Sequence, residues 1–324
     1  MVLCESDLPE VMGTGFTVLD RIYADGDFAA EELGGSCGNV LVSLAMLHRQ
    51  VAPLIALGWD EIGGRLVDEF ERAGADIRYI SRRRDLRSPV VAQELNTISG
   101  QHSFSFVCRE TQSEYPRYAP IEEGEVSTAA CALAACSVFY ADRLSASILD
   151  AMARAHAAGA LVYFEPSDVH EDLFEAALAV ASIIKYSSER LGSDIDILVA
   201  KSPVVAIVTH GAEGLEIRRG ARSVRCLAVE ADRVADTAGS GDMVSVGLID
   251  WLLASHLSQK TLEIEQLVAG VVAGQHLAAA NCAFAGARGL FRDRGATYAR
   301  HVLHQGSLHH SLVRRGAYSA ATKR

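Results

Sequence analysis

Short apolar runs and amphipathic segments alternate along most of the chain from residue 10 onward. The runs are rich in β-branched residues and predict strands that are buried on both faces, whereas the amphipathic segments predict helices between them. The predicted strands are 11–15, 51–57, 137–141, 160–165, 183–186 and 204–209, and the predicted helices lie near 37–49, 62–74, 145–158 and 171–180. This alternation is typical of an α/β fold with a mostly parallel sheet covered by helices on both faces.

Two segments, 16–33 and 88–107, depart from this alternation. In the second, stretches at 90–95 and 102–106 flank a turn at Ser99-Gly100, which predicts strands that lie outside the main sheet. Strands that project from an α/β core often form a small lid over an active site. A lid that excludes water matters where water would compete as a nucleophile.

The last third of the chain continues with a hairpin and helices. A hairpin is expected within 213–229, and a long helix at 262–280. Because no Pro-rich linker or repeat divides the chain, we expect one domain over 1–304 and a basic tail over 305–324. The tail is either a frayed end or a segment that docks on a partner subunit. Its cationic residues and histidines are His309, His310, Arg314, Arg315, Lys323 and Arg324.

Composition narrows the classes of function. The chain has 324 residues, 49% of them hydrophobic, and a formal net charge of −11, which disfavours binding of nucleic acid or of anionic membranes through a general basic field. The apolar runs are too short to span a bilayer, and the acidic N-terminus does not resemble a signal peptide. Seven scattered cysteines without a C-x-x-C pair are typical of reduced thiols, so we expect a cytoplasmic protein.

The segment 236–242, Asp-Thr-Ala-Gly-Ser-Gly-Asp, carries the strongest chemical signal. A turn of small residues at Gly239, Ser240 and Gly241 exposes backbone N–H groups, and the helix that follows adds the positive end of its dipole. Such a turn binds phosphates. Asp242 lies at the first turn of that helix, where a carboxylate can take a proton from a hydroxyl. The segment predicts phosphoryl transfer to an alcohol, unless Asp236 and Asp242 are ordinary turn and helix-start residues.

The same segment closely resembles the D-T-x-G-A-G-D signature of the ribokinase-like (PfkB) carbohydrate kinase family, with Ser240 in place of Ala. The resemblance implies a three-layer α/β/α fold with a small β lid. Further matches follow the order of the family over about residues 10–292. Asp20 is similar to the family's substrate-binding aspartate, and 34–39 resembles its G-G-x-x-x-N element. This implies that Asp20, Gly35 and Asn39 bind substrate; otherwise Asp20 is a solvated lid residue and Asn39 a helix cap.

Two segments resemble the nucleotide side of the family. Residues 209–214 are similar to a T-x-G-x-x-G turn, and 282–289 to a segment of small residues that borders the adenine and a monovalent cation. The resemblance implies that Asp236 and the Ala238 carbonyl contribute to that cation site, which would hold an ion such as K⁺. The nucleotide-binding residues that it implies are Thr209, Gly211, Gly214, Ala283 and Gly286.

The chain departs from the family's sequence pattern at the elements that position Mg²⁺ in other members. The family's N-x-x-E element is replaced here, with Ser187 and Arg190 at the Asn and Glu positions, and Glu189 one residue out of register. Glu165 stands at the Asp position of a family D-x-N segment. We expect Glu165, Glu189 and Asp236 to supply metal ligands. Alternatively, Lys185 and Arg190 take over part of the charge neutralisation, or catalysis is weakened.

The resemblance implies a kinase that uses ATP and Mg²⁺ to phosphorylate a hydroxyl of a sugar or sugar-like substrate, with Asp242 as general base. Its partners would be these small molecules, and free edges of the lid would suit a homodimer. A nucleoside kinase is a second interpretation, with Phe16, Phe104 and Phe106 available to a base. A catalytically weak, regulatory protein that binds nucleotide and sugar is a third.

Overall fold

The computed structural model describes residues 8–169, 171–308 and 313–317 of the chain. Its main sheet has nine strands. Six adjacent strands run parallel to one another, and the three strands at one edge are paired antiparallel. In spatial order the parallel strands are β4 (Val51–Pro53), β1 (Val11–Thr14), β9 (Val138–Ala141), β10 (Leu161–Phe164), β11 (Ile183–Ser187) and β12 (Val205–Thr209). The antiparallel strands are β13 (Leu215–Arg219), β14 (Arg222–Cys226) and β15 (Val313–Ala317).

Both faces of the parallel part of the main sheet are buried, because successive residues of its strands belong to different hydrophobic clusters. Val138 and Tyr140 lie in one cluster, whereas Phe139 and Ala141 lie in the other. The first face is covered by α1 (Ser36–Met46), α2 (Glu61–Ala73), α8 (Ser240–Ala254), α9 (Ile264–Asn281) and α10 (Gly289–Ser307). The second is covered by α3 (Glu123–Thr128), α4 (Ala130–Ala135), α5 (Ala146–Ala158), α6 (Glu171–Val180) and α7 (Ser188–Ala200). The α/β fold with a mostly parallel sheet is confirmed.

The two segments that depart from the βα alternation form a second sheet of four strands. Its order is β3 (Asp27–Gly34), β2 (Val18–Ala24), β7 (Val90–Leu95) and β8 (His102–Ser105). Leu19, Leu33 and Val90 are buried in the same cluster as the helices of the first face. The second sheet therefore packs on the α/β body, and its action as a lid stays a prediction.

One predicted strand differs from the structure. The expected strand 51–57 is two strands, since β4 ends at Pro53 and β5 (Ile55–Gly58) pairs instead with β6 (Ile80–Arg83) in a small separate sheet. The last ladder bond to β1 is donated by Leu54 N to Gly13 O over 2.8 Å, after which the chain turns to β6. The helices α3, α4 and α7 and the strand β6 have no counterpart among the predicted elements. The hairpin of β13 and β14 is confirmed, with its turn at Gly220 in the left-handed region (φ 58°).

Part of the basic tail belongs to the main sheet. Helix α10 runs to Ser307, and β15 pairs antiparallel with β14 at the edge of the sheet, so this part of the tail is not a frayed end. His309, His310, Lys323 and Arg324 lie outside the described residues, as do residues 1–7. Within the described part of the chain, no helix is both long and apolar enough to cross a membrane. The six described cysteines are free thiols, and Cys131 is the exposed one among them.

Candidate active site

The turn at 236–242 leads directly into α8, which begins at Ser240. Gly239 lies in the left-handed region (φ 71°), and a Cβ at this position would come within 2.6 Å of the Ala287 Cβ, so a side chain is excluded by both geometry and space. The first intrahelical bond is donated by Met243 N to Gly239 O over 2.9 Å. The amides of Gly241 and Asp242 therefore precede the helical ladder, as the N–H groups of an anion site do.

Asp242 is buried at the start of α8, with 8% of its surface exposed. Asn39, in the first half of α1, donates its side-chain amide to Asp242 Oδ2 over 2.8 Å. Burial, and then the negative charge of Glu165, raise the pKa of Asp242 to about 6, although Asn39 and Lys185 act in the opposite direction. A carboxylate with this pKa is ionised at neutral pH and still binds a proton readily.

A buried ion pair lies beside this carboxylate. Lys185, in the middle of β11, pairs with Glu165 Oε1, while Glu165 Oε2 accepts hydrogen bonds from Ser245 Oγ (2.7 Å) and Tyr140 OH (3.1 Å). The Lys185 Nζ lies 3.5 Å from the point that a Cβ on Gly241 would occupy. Lys185 thus brings a positive charge to the glycine turn, and both oxygens of Glu165 already have partners.

Asp236 lies at the other end of the turn and has no exposed surface. Its Oδ1 accepts from Ala238 N (2.9 Å), and its Oδ2 accepts from Gly286 N (2.9 Å) and Gln93 Nε2 (3.2 Å). His102 Nδ1 lies 3.4 Å from Oδ1. Burial alone would raise the pKa of Asp236, but His102 and the backbone amides outweigh it and lower that pKa.

Gln93 and His102 connect the second sheet to the glycine turn, since they lie on β7 and β8. Sequence reasoning did not identify either residue. Gln93 is a polar residue in an apolar strand and is almost completely buried, and this is the signal that could have singled it out.

The predicted substrate residues come together near Asp242. Asp20 is buried in β2, which excludes the alternative of a solvated lid residue. Asp20 Oδ1 and Asn39 Oδ1 are both buried without a hydrogen-bond partner. A Cβ on Gly34 would lie 1.9 Å from Asp20 Oδ2, and Gly35 has a φ of 78°. The two glycines therefore let the chain pass close to this carboxyl.

The electrostatics of Asp20 are unusual for an aspartate. Burial, and then the neighbouring Glu32, raise its pKa well above the usual value, while Arg288 acts in the opposite direction. Glu32 faces Asp20 across the antiparallel pair of β2 and β3, and the pKa of Glu32 is itself raised by burial. Glu32 was not among the residues singled out by the sequence, because its position opposite Asp20 depends on the strand register.

Asp142, just after β9, is a further residue that sequence reasoning missed. It accepts hydrogen bonds from Phe16 N (2.7 Å) and from Cys37 N at the start of α1 (3.0 Å). A polar residue directly after a buried parallel strand is the signal that could have found it. Its contacts hold the first turn of α1 in place, and α1 carries Asn39.

The predicted nucleotide residues follow β12 and α9. Gly214 has a φ of 97°, and a Cβ there would lie 2.2 Å from Cys226 O. Glu189 Oε1 lies 3.6 Å from the corresponding point on Gly211, so Glu189 adjoins this turn. Thr209 Oγ1 donates to Tyr186 O over 3.4 Å.

The second nucleotide segment joins the glycine turn directly. Cys282 O accepts from Ala235 N (2.7 Å) and Asp236 N (3.2 Å), and Gly286 N donates to Asp236. Ala283 and Gly286 are therefore next to the turn. His210 pairs through Nδ1 with Ser188 Oγ over 2.9 Å, a local contact that involves none of the predicted catalytic residues.

The three predicted metal ligands do not form one cluster. Glu165 is paired with Lys185, Glu189 lies beside Gly211, and Asp236 is surrounded by donors. Among the residues whose positions are described, no group of three or more His, Cys, Asp or Glu side chains is arranged to hold a metal ion. Arg190, at the family's Glu position, donates to Pro166 O over 3.3 Å.

Comparison with known proteins identifies the family. The chain is 24% identical over 264 residues to the bifunctional protein HldE of Alkalilimnicola ehrlichii, a match that covers 76% of this chain and 53% of that protein, so the chain spans about half the length of this curated relative. Its fold is similar to that of a fructokinase with bound ATP from Xylella fastidiosa, with a TM-score of 0.71, 21% identity, and coverage of 93% of this chain and 100% of the other.

An adenosine kinase from Sinorhizobium meliloti has a similar fold as well, with a TM-score of 0.71, 19% identity, and coverage of 90% and 99% of the two chains. A family model described as pfkB family carbohydrate kinase matches residues 29–284, a range that includes the glycine turn and Asp242. The chain belongs to the pfkB family of carbohydrate kinases.

Proposed function

We propose that this protein is an ATP-dependent kinase that phosphorylates a hydroxyl group of a sugar or sugar-like substrate. The observation that carries the proposal is the position of Asp242, a buried carboxylate with a pKa raised to about 6, at the glycine turn that starts α8. Family membership supports the kinase class, and the fructokinase of similar fold, which has bound ATP, supports ATP as the phosphoryl donor.

In the proposed reaction Asp242 takes the proton of the substrate hydroxyl as general base. The hydroxyl oxygen forms a bond to the γ-phosphorus, and the bond from that phosphorus to the bridging oxygen of ADP breaks. The amides of Gly239, Ser240 and Gly241 would neutralise charge on the transferred group, with the Ser240 amide first released from Thr237 O, to which it donates over 3.3 Å. Asp20 and Asn39, with Gly35 between them in the chain, would fix the substrate hydroxyls, for which their unpartnered oxygens are available.

On the nucleotide side, Thr209, Gly211 and Gly214 would border the ribose and phosphates, and Ala283 and Gly286 the adenine. Both Glu165 oxygens already have hydrogen-bond or ion-pair partners, so few protein oxygens are left to bind Mg²⁺ directly. The site therefore fits an Mg²⁺ ion that is held chiefly by the phosphates and water, with the Glu189 carboxylate close to its bound water. When bound, this ion neutralises phosphate charge, and Lys185 would supply part of the same charge from the protein.

A monovalent cation such as K⁺ would be held next to Asp236 mainly by backbone carbonyl oxygens, including that of Ala238. The Asp236 carboxylate already accepts hydrogen bonds from Ala238 N, Gly286 N and Gln93. The Asp236 carboxylate would therefore stabilise the cation mainly through its negative charge, and not by direct coordination through a free oxygen.

We further propose that residues 1–304 form one kinase domain with the second sheet as its lid, to which 305–307 add the end of α10 and 313–317 add the strand β15. The strands β3 and β8 are the edges of the second sheet, and Phe28 and Phe104 on them are more than half exposed. These features support a homodimer through the lid. The free thiols support a cytoplasmic location.

A nucleoside kinase is the second candidate. Phe16 lies edge-to-face on Tyr118, with ring centroids 6.1 Å apart, and an aromatic pair of this kind could stack a base. The similar fold of the adenosine kinase supports this alternative. A regulatory protein that binds ATP and sugar without turnover is the third, and it is supported by the dispersed predicted metal ligands.

The test is ADP release from MgATP in potassium buffer, across sugars, sugar acids, polyols and nucleosides. Turnover on one class of substrate, lost in Asp242→Asn, would support the proposal and name the class. The matched control is Asp250→Asn, because Asp250 lies on the same helix but pairs with Arg49 over 2.7 Å. ATP and sugar binding by calorimetry without any ADP formation would favour the regulatory alternative instead.

A further inference from the structure

Two carboxyl groups face each other on the substrate side of the site. Asp20 on β2 and Glu32 on β3 are directly opposed in the antiparallel register, so their side chains share one face of the second sheet. Opposed like charges destabilise a strand pair. Burial and then the charge of Glu32 raise the pKa of Asp20, and burial raises the pKa of Glu32.

The nearby arginines make most of their contacts with other partners. Arg288 donates to Leu33 O and to Glu69 Oε2, the latter over 3.1 Å, while its Nε is buried without a partner. Arg292 lies 3.6 Å from Glu32 Oε2, but its Nε is 2.8 Å from Asp293. The positive charge around the carboxyl pair is therefore shared with further acidic groups.

The unpartnered polar atoms of Asp20 and Asn39 are all hydrogen-bond acceptors. Asp20 Oδ1 and Asn39 Oδ1 are buried without a partner, and the Asn39 amide nitrogen is used by Asp242. Glu32 Oε1 lies against Gly286, 2.4 Å from the point that a Cβ would occupy, between Asp20 and the glycine turn. A ligand that satisfies this set must bring donors, because buried acceptors without donors carry a large desolvation cost.

We propose that Glu32 acts with Asp20 as a specificity-determining pair, which selects neutral or amino sugars and rejects sugars that carry a carboxylate or phosphate near these groups. Hydroxyl and ammonium groups donate hydrogen bonds to the paired carboxyls, whereas an anionic substituent adds a further like charge to a site with little water. This inference rests on the proposed function, since it names the substrate class of that site.

The test compares matched sugars that differ in charge. Glucose, glucosamine and glucuronate form one set, galactose, galactosamine and galacturonate a second, and fructose with fructose 6-phosphate a third. Dissociation constants are measured by isothermal titration calorimetry, and kcat/KM by ADP release from MgATP. Within the set that binds, we expect the anionic member to be weaker by at least about 100-fold.

Glu32→Gln removes one charge of the pair while keeping its size. We expect the ratio between neutral and anionic members to shrink by about tenfold or more, which at 25 °C is about 1.4 kcal/mol. Glu31→Gln is the matched control, because Glu31 is the adjacent residue on β3 and pairs with Arg21 and Arg65, each over 2.6 Å. Circular dichroism melts of both variants show whether each is folded.

Three results would overturn the inference: an anionic sugar as the preferred ligand, an unchanged ratio in folded Glu32→Gln, or no binding by any neutral or amino sugar. The first two leave the kinase proposal intact if ADP is formed. Conversely, the expected binding preferences without any ADP formation would support the charge selection and contradict the kinase proposal.

Discussion

The carboxylates at the two ends of the glycine turn have opposite surroundings. Asp236 is held by two backbone amides and by Gln93, with His102 nearby, and its pKa is lowered. Asp242, buried to a similar degree, accepts from Asn39 and lies near the negative Glu165, and its pKa is raised to about 6. Burial alone therefore does not decide what an aspartate does. A buried carboxylate that accepts many hydrogen bonds stays ionised and holds the surrounding backbone in place, whereas one with few donors can bind a proton.

Asp242→Asn gives the largest expected effect on activity. A positioned general base typically contributes about 10² to 10⁴ in rate, so turnover should fall by at least roughly that factor. The melting temperature should stay unchanged or rise at pH 7.5. The folded pKa of Asp242 is raised, so its ionised form opposes folding above pH 6 and a neutral Asn removes that penalty. Steady-state kinetics and thermal melts check both, and near-native turnover would exclude Asp242 as the base.

Asp236→Asn should do the reverse and act first on stability. Its carboxylate accepts several hydrogen bonds in a buried setting, and loss of such bonds to a charged group should lower the free energy of unfolding by about 3 kcal/mol. Urea denaturation measures this change. Asp232→Asn, an exposed position on the same loop, should change it by less than about 0.5 kcal/mol. A native-like stability of Asp236→Asn would contradict the anchor role.

The pH profile sharpens the difference between the two carboxylates. Because Asp242 must be ionised to act as base, kcat should rise with pH through about 6 and level off above it. Lys185 lowers the pKa of Asp242, so Lys185→Met should move the rise of kcat, the acidic limb of the profile, to higher pH. Lys201→Met, at an exposed position, is the matched control and should leave it in place. A limb that stays unchanged in Lys185→Met would mean that another group titrates.

Gln93→Ala is the smallest expected change. It removes one 3.2 Å hydrogen bond to Asp236, which should lower the free energy of unfolding by about 1.5 kcal/mol. Gln101→Ala, an exposed position of the second sheet's turn, should have little effect. Equal melting curves for the two variants would show that the second sheet does not stabilise the turn through Gln93.

Local signals in the sequence were sufficient for most of the fold. The strands expected at 11–15, 160–165 and 183–186 are β1, β10 and β11 within one or two residues, because apolar runs between turns depend on short-range chemistry. The failures lie where the outcome depends on distant contacts. Strand β6 pairs with β5 in a separate small sheet, and β15 joins an edge whose other strands are far away in sequence.

The candidate site divides in the same way. The glycine turn and Asp242 were found from one contiguous segment, and Asn39, which was singled out separately, donates a hydrogen bond to Asp242. The ion pair of Glu165 with Lys185 and the contact of Gln93 with Asp236, 143 residues apart, could not be predicted. Hydrophobic alternation fixes which face a residue occupies, but the meeting of two polar groups depends on how separate sheets pack.

The contacts of Gln93 and His102 with Asp236 have a mechanical consequence. The second sheet cannot lift away from the body of the protein without breaking the hydrogen bond from Gln93, and moving His102 away, from the residue that anchors the glycine turn. In the proposed kinase, a lid that opens would therefore loosen the phosphate-binding glycine turn in the same movement. Such coupling would complete that turn only when the lid is shut, so that phosphates bound under an open lid would be kept from reacting with water.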